Sequence, residues 1–403
     1  MSVFLPRTLA GPIKSAIKHY PVIMLTGPRQ SGKSTLLKKL FPDYTYVNLD
    51  NISVRENALS DPELFISNLT PPVIIDEVQY VPQLLNYIKI NIDKYRTTLE
   101  NEKVAGSYLL TGSQAFSLMA GVTESLAGRV AIFELFPLAW EELGQVLTTP
   151  QECLAQMFQG FYPHPVSYKL TGDELSNFYN NYVQTYLERD VRQIKNVHSL
   201  ANFHNFLHLL AVRIGNTLNL QDISKELGIS GPTLRGWLSI LEASRIIYLL
   251  PPYSRNIGKR LIKSPKIYFG DTGLLTFLLG IDSPQSLAKS KYYGEIFENM
   301  VVMEFVKAHF HKTKVTEQLF FYRDSNKVEV DLVVMRGEHF DLYEIKSAQK
   351  ISDHMARHLK IVNLAPPEKM TKTILGQFTY DLPLTPQIMA RPWWKVIESS
   401  VSQ

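Results

Sequence analysis

GPRQSGKST, Gly27 to Thr35, follows the apolar run VIMLT of Val22 to Thr26 and opens the helical stretch STLLKKLF. It satisfies G-x-x-x-x-G-K-[ST] with Gly27, Gly32, Lys33 and Ser34, and it stands where that pattern carries a mechanism, after a strand and before a helix. Pro28, Arg29, Gln30 and Ser31 fill the loop and Thr35 closes it. In such a setting backbone N–H groups of the loop and the first helical turn point at a phosphate. Unsatisfied donors and the positive end of the helix dipole both favour an anion there. Lys33 is expected to reach the β- and γ-phosphates of ATP, and the Ser34 hydroxyl to coordinate Mg2+. The competing reading is a plain glycine turn with a surface lysine.

Outward from this loop, residues 22–135 alternate short apolar runs (VIMLT, YTYVNLD, PPVIID, SYLLTGS, VAIFEL) with amphipathic stretches. That alternation predicts an α/β fold with a parallel sheet and helices on both faces. In PPVIIDEVQ, Pro71 to Gln79, a buried strand delivers Asp76 and Glu77 at its carboxyl end, the edge where ligands bind in such sheets. Asp76 is expected to hold Mg2+ through water and Glu77 to polarise the attacking water as general base. LLTGSQ places Thr111 and Ser113 at the same edge, in reach of a γ-phosphate. SLAGRV offers Arg129, which either neutralises charge on the transferred phosphoryl, in its own subunit or a neighbour's, or forms a surface salt bridge. The neighbour's site would require a homo-oligomer.

Together GPRQSGKST, NLD at Asn48 to Asp50, IIDEVQ, LLTGSQ and SLAGR resemble a large bacterial and archaeal group of AAA-type ATPases. In that group a carboxyl-terminal region catalogued as a domain of unknown function follows the ATPase. YLERDVR from Tyr186, GDTGLL from Gly270 and EVDLVV from Glu329 are similar to that second region, so the likeness spans nearly the whole chain. It implies a P-loop fold, ATP and Mg2+, and leaves the biological task open.

At 403 residues the chain is too long for one ordinary core. The expected pieces are an ATPase domain at 1–145, a helical linker at 146–215, a winged helix-turn-helix at 216–282 and a nuclease-like α/β domain at 283–403. Forty-two basic residues against 38 acidic ones give a charge of +4, which matters only if gathered on one face. One cysteine, Cys153, forbids an internal disulfide and fits a reducing cytoplasm. No run approaches the ~18–20 apolar residues of a membrane span, so a membrane partner is not expected. The stretch from Leu220 to Pro252 reads as two helices around a Gly228 turn and then a strand. The basic run RNIGKRLIKSPK, Arg255 to Lys266, contains no acid. DNA is one expected partner for such a wing, through its phosphates; packing between domains or subunits is the other reading.

In the tail, period two puts Glu329 and Asp331 on one face of one strand, and Glu344 and Lys346 on one face of the next. Glu298, on a helix upstream, can pack across them. Carboxylates within ~4 Å repel by roughly 4 kcal/mol per pair at an effective dielectric near 20, which suggests a divalent cation on Asp331 and Glu344. This set resembles the restriction-endonuclease-like superfamily and its PD-(D/E)XK motif. Carried over, the catalytic residues would be Glu298, Asp331, Glu344 and Lys346. Three readings stand: a metal-dependent nuclease, an inactive fold that binds nucleic acid or protein, and a coincidental sheet.

Overall fold

A computed structural model describes residues 4–98, 104–112, 125–144, 149–187, 200–254, 264–311 and 317–401. The chain divides into two compact units, one of residues 4–138 with 243–245, the other of 139–242 with 246–403.

In the first unit five strands, β1 (Val22–Thr26), β2 (Thr45–Asn48), β3 (Val73–Asp76), β4 (Tyr108–Thr111) and β5 (Val130–Glu134), form a sheet in the order β2-β3-β4-β1-β5. Every pair is parallel, as the alternation of apolar runs predicts. Such a sheet is covered on both faces, so its strands read as continuous apolar runs. Val22 to Leu25 and Val73 to Ile75 are indeed buried throughout. On one face they meet the helix Leu84–Thr98 through Leu85, Ile88 and Ile92; on the other, Ile13, Leu36 and Leu37. Gly27 leaves β1 with φ +140°, and a Cβ there would lie 2.2 Å from the Leu135 carbonyl oxygen, so no larger residue fits. Arg245 completes this unit: its guanidinium grips Glu134 at 2.9 Å, on the residue paired with Thr26 just before the loop. Burial raises the Glu134 carboxyl above its usual range, and Arg245 opposes the rise.

The second unit gathers what was expected as three pieces. Buried polar groups join them. The Asp271 carboxylate accepts from the amides of Phe161 and Leu274 and from the Tyr179 hydroxyl. Asn299 pairs with both backbone groups of Phe269, and the Trp140 amide donates to Glu304. Unpaired, each such group would cost about 1–3 kcal/mol, so these crossings hold the pieces together. Helices Leu220–Leu227 and Gly231–Ala243 precede an antiparallel hairpin of β6 (Ile247–Leu250) and β7 (Lys266–Phe269). The tail is a six-stranded sheet, β12-β13-β11-β10-β9-β8. Its strands are β8 (Glu317–Arg323), β9 (Glu329–Arg336), β10 (His339–Lys346), β11 (Met370–Gly376), β12 (Leu382–Thr385) and β13 (Ile388–Pro392). Helix Tyr293–His311 precedes an antiparallel meander of β8, β9 and β10, and β11 then returns parallel to β10. Trp393, in RPWWK, is fully buried. The Cys153 thiol is buried too, and burial pushes it up to about 12. Among the described residues no helix is long and apolar enough to cross a membrane.

Candidate functional site

The loop and the acidic strand end meet because β4 lies between β1 and β3. Leu25 pairs with Thr111 and Ile75 with Leu110, which brings the carboxyl ends of all three strands to one level. Gly32 takes a left-handed backbone (φ 94°) and caps the helix Lys33–Leu40, turning its first amides toward the loop. Ser34 Oγ donates to Asp76 Oδ1 at 2.8 Å. Thr111 Oγ1 donates to the same oxygen, and the Tyr46 hydroxyl donates to Oδ2 at 2.5 Å. Burial, then the bond to Asp76, raises the Tyr46 phenol above its usual value.

Lys33 is buried, and its Nζ donates to the carbonyls of Gly27 (3.0 Å) and Pro28 (2.9 Å). The ammonium thus lies over the loop itself. Ser31 Oγ, fully buried in the loop wall, has no hydrogen-bond partner, which leaves a hydroxyl for a phosphate oxygen. The Ser34 hydroxyl and the Asp76 carboxylate, side by side at the loop, are oxygen donors of the kind that Mg2+ takes directly or through water.

Glu77 adopts φ 60° and ψ 45°, uncommon for a residue with a side chain. Its amide donates to Thr111 Oγ1 at 3.1 Å, and its carboxylate accepts from the Gln79 side chain. This turn sends two consecutive carboxylates different ways: Asp76 to the loop serine, Glu77 into its own hydrogen bond. Thr111 holds both residues.

Arg129 is placed elsewhere. Val22 pairs with Val130, and the Val22 amide donates to the Arg129 carbonyl, so Arg129 sits at the amino edge of the sheet. The four steps of β1 separate that edge from the loop by about 13 Å. Its Nε and Nη2 meet the two oxygens of Asp93 at 2.8 and 3.0 Å. The own-subunit role therefore fails on distance, and the salt bridge is what the fold provides. Ser113 lies outside the described residues.

Sequence reasoning missed Tyr46 and the positioning part of Thr111. Asn48 pairs with Asp76 and Tyr46 with Ile74, so period two already puts Tyr46 on the face of Asp76 once β2 is known to neighbour β3.

In the tail Glu298, Asp331, Glu344 and Lys346 do come together. Extending the β9–β10 register one step sets Glu344 opposite Asp331, whose Oδ2 accepts the Ile345 amide at 2.8 Å. Lys346 Nζ is 2.7 Å from Glu344 and 3.6 Å from Asp331. An unforeseen residue joins them: Lys266 Nζ lies 2.6 Å from Glu329, 3.1 Å from Glu298 and 3.7 Å from Asp331. Burial raises the Glu298 carboxyl to about 7, with Lys266 opposing, and raises Glu344 to about 8, with the Asp331 charge adding to the rise. Glu344 Oε2 is buried without a hydrogen-bond partner. Among the described residues no group of three or more His, Cys, Asp or Glu side chains is arranged to hold a metal ion.

The second helix of the pair buries Leu234, Trp237, Leu238, Ile240 and Leu241, leaving Arg235 as its one exposed charged side chain among the described residues. Residues 255–263 of the basic run lie outside the described residues, and its last member, Lys266, is buried among acids instead of lying on a wing.

Comparison with known proteins matches three stretches of the chain. An AAA domain matches residues 19–144, a domain of unknown function (DUF8612) residues 151–285, and another (DUF4143) residues 293–391. An uncharacterized protein of Mycobacterium tuberculosis is 30% identical over 365 residues, covering 89% of this chain and 78% of that protein. An uncharacterized protein of Methanocaldococcus jannaschii is 25% identical over 333 residues, 70% of this chain and 66% of its own length. Among solved structures, the Walker-type ATPase of Pyrococcus abyssi is 16% identical, with a TM-score of 0.46, over 69% of this chain and 96% of that one.

Proposed function

This chain belongs to the same family as the Mycobacterium tuberculosis protein and carries its P-loop in an AAA domain; on that premise we propose an ATP-binding, Mg2+-dependent ATPase whose nucleotide state controls what residues 139–403 bind. Nucleotide binding and ATPase chemistry follow from the domain; the finer assignment of residues is our own. The observation that supports it best is the 2.8 Å approach of Ser34 to Asp76, at the mouth of a loop whose Gly27 and Pro28 carbonyls accept from the Lys33 ammonium. When ATP enters, Lys33 exchanges the two carbonyls for β- and γ-phosphate oxygens. Gly32 and the helix start present amides to the β-phosphate. Ser34 and Asp76 would hold Mg2+, with Tyr46 and Thr111 fixing the carboxylate, and the ion would supply positive charge against the phosphates. Glu77, once released by Gln79, takes a proton from the attacking water. Arg129, at the opposite edge of the sheet, acts in this scheme only on a neighbouring copy.

For the bound partner we take duplex DNA first, because the helix pair and the β6–β7 hairpin flank a run holding Arg255, Lys259, Arg260 and Lys263 with no acid. With Arg235 the one exposed charged side chain of the second helix, contact would be to phosphates and not to bases. ATP hydrolysis is expected to rise with DNA, and DNA affinity to fall with salt at a log–log slope of about −3 to −4 for four phosphate contacts. Replacing the four basic residues by alanine should flatten that slope and remove the stimulation. A chain that binds no DNA at 50 mM salt would instead be a switch read by a protein partner, with the tail as the recognition surface.

A further inference from the structure

We propose that the Lys266 ammonium is the resident cation of the tail's acidic cluster, and that it bars a divalent metal from the position where the resemblance to PD-(D/E)XK nucleases would place one. The proposal stands apart from the ATPase reading and concerns the tail alone.

Three carboxylates converge on one nitrogen: Glu329 on β9 at 2.6 Å, Glu298 on the helix Tyr293–His311 at 3.1 Å, and Asp331 on β9 at 3.7 Å. Tyr268, two residues along β7, donates to Glu298 Oε1 at 2.7 Å and fills a further acceptor site. Mg2+ demands near-octahedral oxygens at 2.0–2.1 Å and usually keeps several waters. The space these carboxylates share already holds an ammonium, and the Lys266 side chain is only 3% exposed.

Lys266 has no easy way out. Its strand pairs with β6 on one side, Leu250 opposite Lys266, and on the other Lys266 bridges Thr217. The Leu218 amide donates to the Pro265 carbonyl and the Ile267 amide to Asn216, so the backbone is held on either side of the lysine. The remaining acid is served by a second ammonium, Lys346 on Glu344 and Asp331. Arg323 adds a third cation, 3.6 Å from Glu329. Four carboxyl groups facing three cations carry at most one excess negative charge, so the cluster does not need a dication to be held together. Asp331 and Glu344, expected as metal ligands, are on this reading partners of lysines. The tail then recognises or couples, and does not cut.

Terbium luminescence tests this on the full chain, with Tyr268 beside Glu298 as the antenna. In the wild type, Tb3+ titrated without nucleotide should give the same signal with and without Asp331→Asn, and Mn2+ should not nick plasmid DNA. Lys266→Ala should gain a saturable signal several-fold above the wild type, and adding Asp331→Asn should remove it. Mn2+ should also raise the melting temperature of Lys266→Ala by several degrees and leave the wild type unmoved. A wild-type signal, or wild-type nicking, that Asp331→Asn abolishes overturns the proposal. So does a folded Lys266→Ala that gains nothing. If Lys266→Ala does not fold by circular dichroism, the wild-type comparison decides alone: no Asp331-dependent signal or cleavage upholds it.

Discussion

Glu77→Gln is expected to hold ATP as tightly as the wild type and to lose about 10²–10⁴-fold in kcat, the usual contribution of a positioned general base. The backbone argument isolates the carboxylate. Glu77 turns with φ 60° and anchors its amide on Thr111, and glutamine can keep both the turn and the amide bond. Only the ability to accept a proton goes. Asp76, turned toward Ser34, cannot substitute, since it is already committed to Ser34, Thr111 and Tyr46. Binding of labelled ATP together with phosphate release measures both halves. A Glu77→Gln chain that hydrolyses at the wild-type rate would strip Glu77 of its role.

Lys33→Ala acts at the earlier step. The ammonium that meets the Gly27 and Pro28 carbonyls is buried against the loop that is proposed to hold the phosphates. Hydrogen bonds to charged groups contribute about 1.5–3 kcal/mol each, so losing two weakens ATP by roughly 10²-fold or more in Kd. Calorimetric titration of ATP with Mg2+ reads the loss directly. An unchanged Kd would mean that the amides alone hold the nucleotide.

How far residues alone carried these conclusions depended on whether a local rule sufficed. The loop is a local object: strand, glycines, lysine and helix are contiguous, and VIMLT and PPVIID declared a buried parallel sheet by being apolar without alternation. Asp331, Glu344 and Lys346 were equally legible, since period two and a neighbouring strand pair are enough to bring them together. Lys266 was not. Its placement depends on a hairpin whose intervening residues carry no periodic signal, and on a bridge to Thr217, forty-nine positions earlier. The basic run therefore concealed a core ion-pair residue, Lys266. Arg129 failed for a related reason: lying next to a strand in sequence does not say at which end of the sheet the residue emerges, and the parallel register put it at the wrong one.

Arg245 carries a lesson about modularity. A polypeptide ending at Leu138 would retain all five strands, the phosphate loop, Asp76 and Glu77, and would look like a transferable cassette. It would also keep Glu134, 8% exposed, next to the loop's first strand and stripped of its counter-charge. Stranding a buried charge typically costs about 3–5 kcal/mol, against a whole margin of stability of about 5–15 kcal/mol for a domain. A nucleotide engine that borrows an arginine from more than a hundred residues downstream is not a free-standing part, and a new tail joined after Leu138 would have to supply that charge again.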